Sequence, residues 1–495
     1  MSQANRDVTV VVPFRDVQNY FAEFLESVAA QTAFARAHVI LVDNGSGDRS
    51  VAIASEFADR YANVDLVSQP QGRAGDARNM GMDMASTPYI VFWDADDIVP
   101  ERSLEVLRNT IVKTRATIVV GREKHVPKPV KAPWHKYFGK NVKTVGSVAD
   151  IPDLIHSASC WNKIFDLDLL RSQGIRFGTG TAFEDAYVSL PALLLSERIA
   201  LVDAPVYEYR RRGDGTSVMD TIWDLPQNYA DQLMMLEYLA GMRQVLTPYQ
   251  QETLERFLIR SMQGFLLRAP QVFGEADCRK LFERCRTLYW GITSEQFARS
   301  THDTRHRLPY LALHFADFDL FYRPASVLGS VFGREGDLYV DYPGTSWGLP
   351  LTKVTSVPAR IEGLSAGEGG TAVLHGRFSV NGLPDELLAK LELQVWFERS
   401  GKTLPAVNHG QAHGQAHDRP GQEGAVFSVA VDPREFPAGS FPVRLVLCTR
   451  GRDVSRPCAV SPALAQQPPV NGFHGFARIT ADGGNAQLVI ESVQH

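Results

Sequence analysis

What the sequence has little of narrows the possibilities first. No stretch approaches the roughly 18 consecutive apolar residues that a membrane-spanning helix needs, so nothing reads as a transmembrane span. Residues 1–7 lack the basic-then-apolar order of a secretory leader, and the expected location is the cytoplasm, including the inner face of the membrane as a peripheral protein. Cysteine is scarce. The five present, Cys160, Cys278, Cys285, Cys448 and Cys458, are odd in number and show no C-x-x-C spacing, which excludes a disulfide framework or a zinc ribbon and leaves reduced thiols. Cys278 and Cys285 share a helical stretch and would stand about 10 Å apart at 1.5 Å per residue, too far for a bridge within one helix. An excess of positive charge is also missing: 51 Lys and Arg against 56 Asp and Glu argue against a general nucleic-acid binder. With 44% hydrophobic and 22% charged residues the chain is neither disordered nor fibrous, and 495 residues exceed one ordinary core.

What is present is organised in blocks. VTVVVPF (8–14), HVILVDNGS (38–46), VDLVSQ (64–69) and YIVFWDADD (89–97) are short, β-branched or apolar runs. Between them, stretches with helical spacing occupy 20–31, 50–61 and 74–85. This alternation predicts an α/β domain over 1–222 with a mostly parallel, Rossmann-like sheet, whose ligand sites lie beyond the carboxyl ends of the strands. Long helical stretches such as QNYADQLMMLEYLAGMRQVL predict a helical module over 223–337. Alternating runs such as TAVLHGRFSV, KLELQVWFE and AVFSVAVD predict an immunoglobulin-like β-sandwich over 338–495. In that last region the tandem HGQAHGQAH places His409, His413 and His417 four apart, and its glycines predict a loop rather than a metal site.

The chemistry concentrates at the strand ends. Asp94-Ala95-Asp96-Asp97 packs three carboxylates after an apolar strand; such acids repel unless a hard cation or hydrogen-bond donors offset them, although capping of the following helix is an equal reading. Asp43-Asn44-Gly45-Ser46 is a strand-end acid entering a turn, readable also as a plain β-to-helix connection. Glu184-Asp185 begins an apolar helical run, where acids stabilise a first turn by about 0.3–1 kcal/mol.

Taken in order, VVVPF, LVDNGSGDRS, GRAGDARNMG, FWDADD, SCWNKIFDLDLLRSQGIRF, FEDAYVSLPALL and VYEYRRRGDGTS resemble family-two glycosyltransferases with the GT-A fold, over roughly residues 8–220. The resemblance implies a nucleotide-sugar donor. Pro13, Phe14 and Arg15 would line the nucleoside pocket, Asp43 would bond the base, Arg78 would help hold the nucleotide, and Asp94 with Ala95 would face the ribose. It further implies that Asp96 binds Mn²⁺ or Mg²⁺ on the diphosphate, and that Asp185, assisted by Glu184, is the general base of an inverting transfer. Where metal-dependent relatives often carry a histidine, this chain has Arg212; Arg210 and Arg212 would then meet the diphosphate.

Residues 122–143 hold seven Lys or Arg against one acid. Lys128, Lys131, Lys136 and Lys140 in this stretch are candidate contacts to a polyanionic or glycan acceptor, a solvated loop being the alternative. The three-part architecture resembles bacterial enzymes that glycosylate wall teichoic acids. From that follow the expectations of UDP-N-acetylglucosamine as donor and of a C-terminal part that binds polymer or self-associates. A transferase for another polysaccharide or capsule, a non-catalytic carbohydrate-binding assembly protein and a nucleotidyltransferase are the competing readings; an intact DADD and FED argue against the second, and the lack of a glycine-rich basic signature at the first strand against the third.

Overall fold

A computed structural model describes residues 6–69, 72–211, 225–289, 307–328, 331–334, 337–340, 342, 349–353, 359–380, 385–389, 391–411, 425–448, 454–460, 470–472, 475–482 and 485–492. The chain separates into two compact units, 1–300 and 301–495.

The first unit is built on an eight-stranded sheet. β1 (Val8–Phe14) is buried along its whole length and pairs in parallel with β2 (Ala37–Asp43), from Val8 opposite Ala37 to Phe14 opposite Asp43. β3 (Val64–Ser68) extends the parallel sheet beyond β2, and β4 (Tyr89–Phe92) lies in parallel on the other side of β1. Near-continuous Val, Ile and Leu runs suit strands covered on both faces. The covering helices are α1 (Phe21–Ala29), α2 (Ser50–Arg60), α3 (Ala74–Met84) and α4 (Ser103–Thr114). α3 approaches β1 closely enough that a Cβ on Gly81 would meet Val11 Cγ1 at 2.4 Å, so only glycine fits there.

The remaining strands are β5 (Ile118–Val126), β6 (Lys143–Val145), β7 (Lys163–Asp166) and β8 (Ile199–Arg210), with α5 (Leu167–Ser172) and α6 (Ala186–Leu195). The sheet order is β3-β2-β1-β4-β7-β5-β8-β6. β7 runs antiparallel to both β4 and β5, β5 and β8 are parallel, and β6 is antiparallel to β8, so the parallel character is strict only in the half formed by β1 to β4. Three long helices follow in the same compact unit: α7 (Pro226–Gly241), α8 (Pro248–Leu266) and α9 (Glu275–Tyr289). Cys278 and Cys285 are both buried and unbridged in α9, where they serve as small apolar residues.

The helical stretch expected over 223–337 is thus divided. Its helices up to Tyr289 share a unit with the sheet, whereas Arg307–Phe315, Phe318–Tyr322 and Pro324–Val327 fall in the second unit. The boundary expected at 338 falls inside a strand, Asp337–Val340, the centre of a three-stranded antiparallel sheet, and the one expected at 222 lies outside the described residues.

Among the described residues, the rest of the second unit is a separate β module of eleven strands, antiparallel except where Arg360–Ile361 pair in parallel with Ala459–Val460. Strand Gly439–Cys448 pairs through its second half with Glu392–Phe397 and through its first half with Asn485–Ser492, so one strand serves two layers. Burial alternates residue by residue along Ala372–Phe378 and Ala425–Val431, the period expected when one face covers a core. His409 corrects the loop reading of the histidine repeat: it sits in strand Lys402–Gln411 at a register shift, its Nε2 2.7 Å from Ser428 Oγ on the neighbouring strand. His413 and His417 lie outside the described residues.

Candidate active site

The carboxyl ends of β1, β2 and β4 place residues 13–16, 43–46 and 94–97 along one edge of the sheet. At the end of β1 the Phe14 ring turns into the core against Phe21, centroids 4.7 Å apart, so the ring does not line a surface pocket as expected. Arg15 is the half-exposed side chain of that segment, 3.5 Å from Asp16. Asp43 is buried and accepts the Ser46 N–H at 3.0 Å, closing the turn that follows β2. Asn44 reaches the segment before α3, donating to the Gly72 carbonyl and accepting from Gly72 N–H and Gln69 Nε2, each at 2.9 Å.

DADD divides into three roles. Its acids do not cap the next helix, because α4 begins at Ser103 with Arg102 in the cap position and no side-chain cap bond. Asp97, 1% exposed, faces inward and accepts the Tyr207 hydroxyl at 2.8 Å and the Arg210 N–H at 2.6 Å. The Tyr207 oxygen in turn accepts the Asp94 N–H at 3.0 Å, and the Tyr207 ring stacks on Trp161 at 4.6 Å. Burial first, and then repulsion from Asp96 and Asp94, push the Asp97 carboxyl up to about 8. Asp94 is pushed up by burial to about 6 against the pull of Arg78. Asp96 is partly exposed beside them, and Ala95 is buried.

Arg78 gathers the acids. It sits in α3, 3% exposed, and its guanidinium donates to Asp94 Oδ1 at 2.5 Å and to Glu184 Oε1 at 3.2 Å, and lies 3.0 Å from Asp185 Oδ1. Phe177 stacks beneath it at 5.3 Å, while the next residue, Asn79, clamps the Phe177 backbone with two bonds of 3.0 Å. The cation is held well above its usual range by the three carboxylates despite burial, so it stays charged. An arginine this enclosed organises acids; it does not present a surface to a nucleotide, which revises the direct donor contact expected of Arg78.

Asp185 occupies the cap position of α6 but makes no side-chain cap bond. Its Oδ2 accepts the Cys160 N–H at 3.1 Å instead. Its Oδ1 is buried against Arg78 without an aligned hydrogen bond, so the exposed part of this side chain, 24%, does not include Oδ1. Glu184 is pushed up by burial and pulled down by Arg78. The loop carrying both acids lies on the first turn of α3, where a Cβ on Gly75 would come within 2.1 Å of the Gly178 carbonyl.

Behind Asp185, the turn 157–162 is tied together by Lys163, which is wholly buried and donates to Ser157 Oγ at 2.8 Å, the Ser159 carbonyl at 2.6 Å and Asn162 Oδ1 at 2.8 Å. Burial lowers its ammonium to about 8, against the pull of Glu123. Cys160, Lys163, Phe177 and Tyr207 had no assigned role in the sequence, although SCWNKIF and VYEYRRR carry three of them; the partners of Cys160, Phe177 and Tyr207 are tens of residues away, where no local spacing reveals them.

Other expected contacts are placed elsewhere. The Arg210 guanidinium donates to Glu23 at 2.7 Å and lies over the Tyr20 ring at 5.5 Å, so its charge is spent on α1 rather than held out toward a diphosphate; Arg212 is outside the described residues. In the basic stretch, Arg122 pairs with Asp203, Lys124 with Glu208 and Lys136 with Asp153, whereas Lys128, Lys131 and Lys140 are exposed. Among the described residues no group of three His, Cys, Asp or Glu side chains is arranged to hold a metal ion, and no helix is long and apolar enough to cross a membrane. The donor chemistry of Asp94 and Asp96 nonetheless suits a hard divalent cation: clustered oxygens whose buried carboxyl has been pushed toward protonation are what such an ion would relieve.

A parallel sheet with acids at its carboxyl edge, and a second acid pair brought to them by one arginine, form this site, and residues 9–181 match the family described as Glycosyl transferase family 2. The chain is similar to Glycosyltransferase GlyA of Streptococcus pneumoniae, 28% identical over 227 residues that make up 44% of this chain and 32% of that protein. It is also similar to Minor teichoic acid biosynthesis protein GgaB of Bacillus subtilis, 30% identical over 227 residues, 44% of this chain and 24% of that protein. It therefore spans only part of either relative. Among solved structures, Staphylococcus aureus TarS has a similar fold, with a TM-score of 0.55 at 16% identity, covering 99% of this chain and 86% of that one. TarS 1–349 in complex with UDP-GlcNAc gives a TM-score of 0.56 at 18% identity, covering 70% and 99%.

Proposed function

We propose that the chain transfers a sugar from a UDP-sugar, with UDP-N-acetylglucosamine the first choice, to a hydroxyl of a cell-envelope polymer such as a teichoic acid, inverting the anomeric centre. The observation that carries this reading is Arg78: one buried cation draws Asp94 from the donor side and Glu184 and Asp185 from the acceptor side to a single point. The likeness to a fold that holds UDP-GlcNAc in TarS and to GgaB supports the choice of donor and acceptor class.

In this reading the nucleotide lies across the strand ends, against Pro13, Arg15, Asp43 and the 94–96 backbone. Asp185 Oδ2 keeps a second lone pair beyond its bond from Cys160 N–H, and takes the proton of the attacking acceptor hydroxyl. The acceptor oxygen forms its bond to the anomeric carbon as the bond to the diphosphate oxygen breaks, and the electron pair leaves with UDP. Arg78 holds the base oriented, and Tyr207 with Asp97 holds the Asp94 backbone in register. Asp96, with Asp94 beside it, would hold Mn²⁺ or Mg²⁺, which when bound supplies charge neutralisation at the diphosphate. The exposed lysines 128, 131 and 140 serve acceptor capture, and the second unit serves polymer binding or self-association.

The experiment is the stereochemistry of the product. NMR of the glycoside formed from UDP-α-N-acetylglucosamine is expected to show a β linkage, with UDP released; retention, or pyrophosphate release from a nucleoside triphosphate, overturns the proposal.

A further inference from the structure

Asp231 lies in α7, beyond the 9–181 stretch and outside every motif read from the sequence. Its carboxylate is 2% exposed, which is costly unless its oxygens are satisfied. Oδ2 accepts the Ala182 N–H at 3.0 Å and Oδ1 accepts Gln227 Nε2 at 2.6 Å. The Arg73 guanidinium, at the cap of α3, stands 3.9 Å from Oδ2. Gln227 belongs to the same helix, so among the described residues the Asp231 bond that leaves α7 at hydrogen-bond distance runs to the loop that carries Glu184 and Asp185.

That loop is held on its other side by α3. The Gly178 carbonyl rests against Gly75, and Glu184 and Asp185 reach Arg78. Within the loop, the Phe183 N–H is satisfied by Thr181 Oγ1 at 3.2 Å, and the Ala186 N–H by the Phe183 carbonyl at 3.2 Å. Ala182 N–H is satisfied from outside the loop by Asp231. Because the span from Ala182 to Asp185 is one tight turn, moving its first amide moves the carboxylate.

We propose that Asp231 is a positioning residue for the base: the helical part of the first unit clamps the Thr181–Asp185 turn onto α3, so that the acceptor-side carboxylate, just beyond the 9–181 match, is set by a helix more than forty residues further along the chain. This rests on the reading of Asp185 as the base. A displacement of about 1 Å at a reacting group costs about 10² in rate, while the nucleotide edge of the sheet, formed by other strands, keeps its geometry.

The test uses the full chain with Asp231→Ala and Asp231→Asn, beside Asp185→Asn. For Asp231→Ala the expected result is UDP affinity within about twofold of wild type, faster hydrogen exchange in the 178–186 segment, and kcat lowered about 10- to 100-fold with little change in the donor KM. Asp231→Asn retains an oxygen that can accept the Ala182 N–H and is expected to recover most of kcat. Unchanged exchange in 178–186 overturns the clamp. So does a wild-type kcat in Asp231→Ala, or a loss of UDP affinity and melting temperature in step with kcat in both variants, which marks general structural damage. If Asp185→Asn itself transfers at the wild-type rate, the reading of the base has failed; if it is slow while Asp231→Ala is normal, the clamp alone has failed.

Discussion

Replacing Arg78 by leucine removes one cation from among three carboxylates, and its cost follows from the geometry. The guanidinium lies 2.5 Å, 3.2 Å and 3.0 Å from oxygens of Asp94, Glu184 and Asp185. Breaking a buried ion pair by deleting one partner costs about 3–5 kcal/mol, because the survivor is left uncompensated. Here the acids retain 26%, 18% and 24% of their side-chain exposure, so water relieves part of the penalty and about 3 kcal/mol is expected at pH 8. The sign of the pH dependence is fixed. Without the arginine the Asp94 and Glu184 carboxyls lose a group that lowered them, so their folded pKa values rise further above the unfolded ones. Stability is then retained where the acids are protonated and lost as pH rises through those values. Urea unfolding of the first unit, followed by its buried Trp93, at pH 5.5 and pH 8 reads this directly. The variant should lose clearly less stability at pH 5.5. Equal losses at both pH values, or a loss under about 1 kcal/mol at pH 8, would refute the view of Arg78 as the compensating charge of the site.

Three further outcomes are expected. Asp97 has its carboxyl raised from 3.8 to about 8, so its contribution is present below pH 4 and lost as pH climbs toward 8; Asp97→Asn should flatten the fall in stability across pH 5–8 by up to about 1.4 kcal/mol per pH unit, as measured by denaturant titration. Asp96→Ala should weaken UDP binding in Mn²⁺ at least tenfold and change it little in EDTA, and calorimetry showing equal affinity in Mn²⁺ removes Asp96 from the metal. Neutralising Lys128, Lys131 and Lys140 should raise KM for a polyanionic acceptor several-fold and flatten its salt dependence while sparing a neutral one. Lys136, already paired with Asp153, should matter less, and a chain ended within 290–306 should keep slow donor hydrolysis but share the raised KM.

Much of the fold was legible because it is written in local periods. β1, β2 and α3 lie where the β-branched runs and helical spacing put them, and the alternation after residue 359 marks one-faced strands. The sequence order did not reveal that SCWNKIF ends in an antiparallel strand inserted between β4 and β5, since an apolar run carries no direction. DADD was legible as a cluster but not as a division of labour: Asp97 is turned inward by Tyr207, 110 residues away, and α4 starts too late for any of the acids to cap it. Glu184-Asp185 was legible only by family resemblance, because helix capping explains two acids before an apolar helix equally well. In the structure Asp185 makes no cap bond and accepts the Cys160 N–H instead, so capping does not account for it. Arg78 read as a nucleotide contact because burial cannot be seen in a short motif, and Arg210 read as a diphosphate contact because Glu23 lies 187 residues away.

The central claim is that Asp185 takes the proton of the acceptor hydroxyl. Single-turnover transfer by Asp185→Asn, measured beside its UDP affinity, tests it most directly. The asparagine keeps an oxygen for Cys160 N–H, so UDP should bind within about twofold of wild type, while loss of the base should slow transfer by about 10² to 10⁴. Transfer at close to the wild-type rate, with the product's linkage unchanged, would contradict the account.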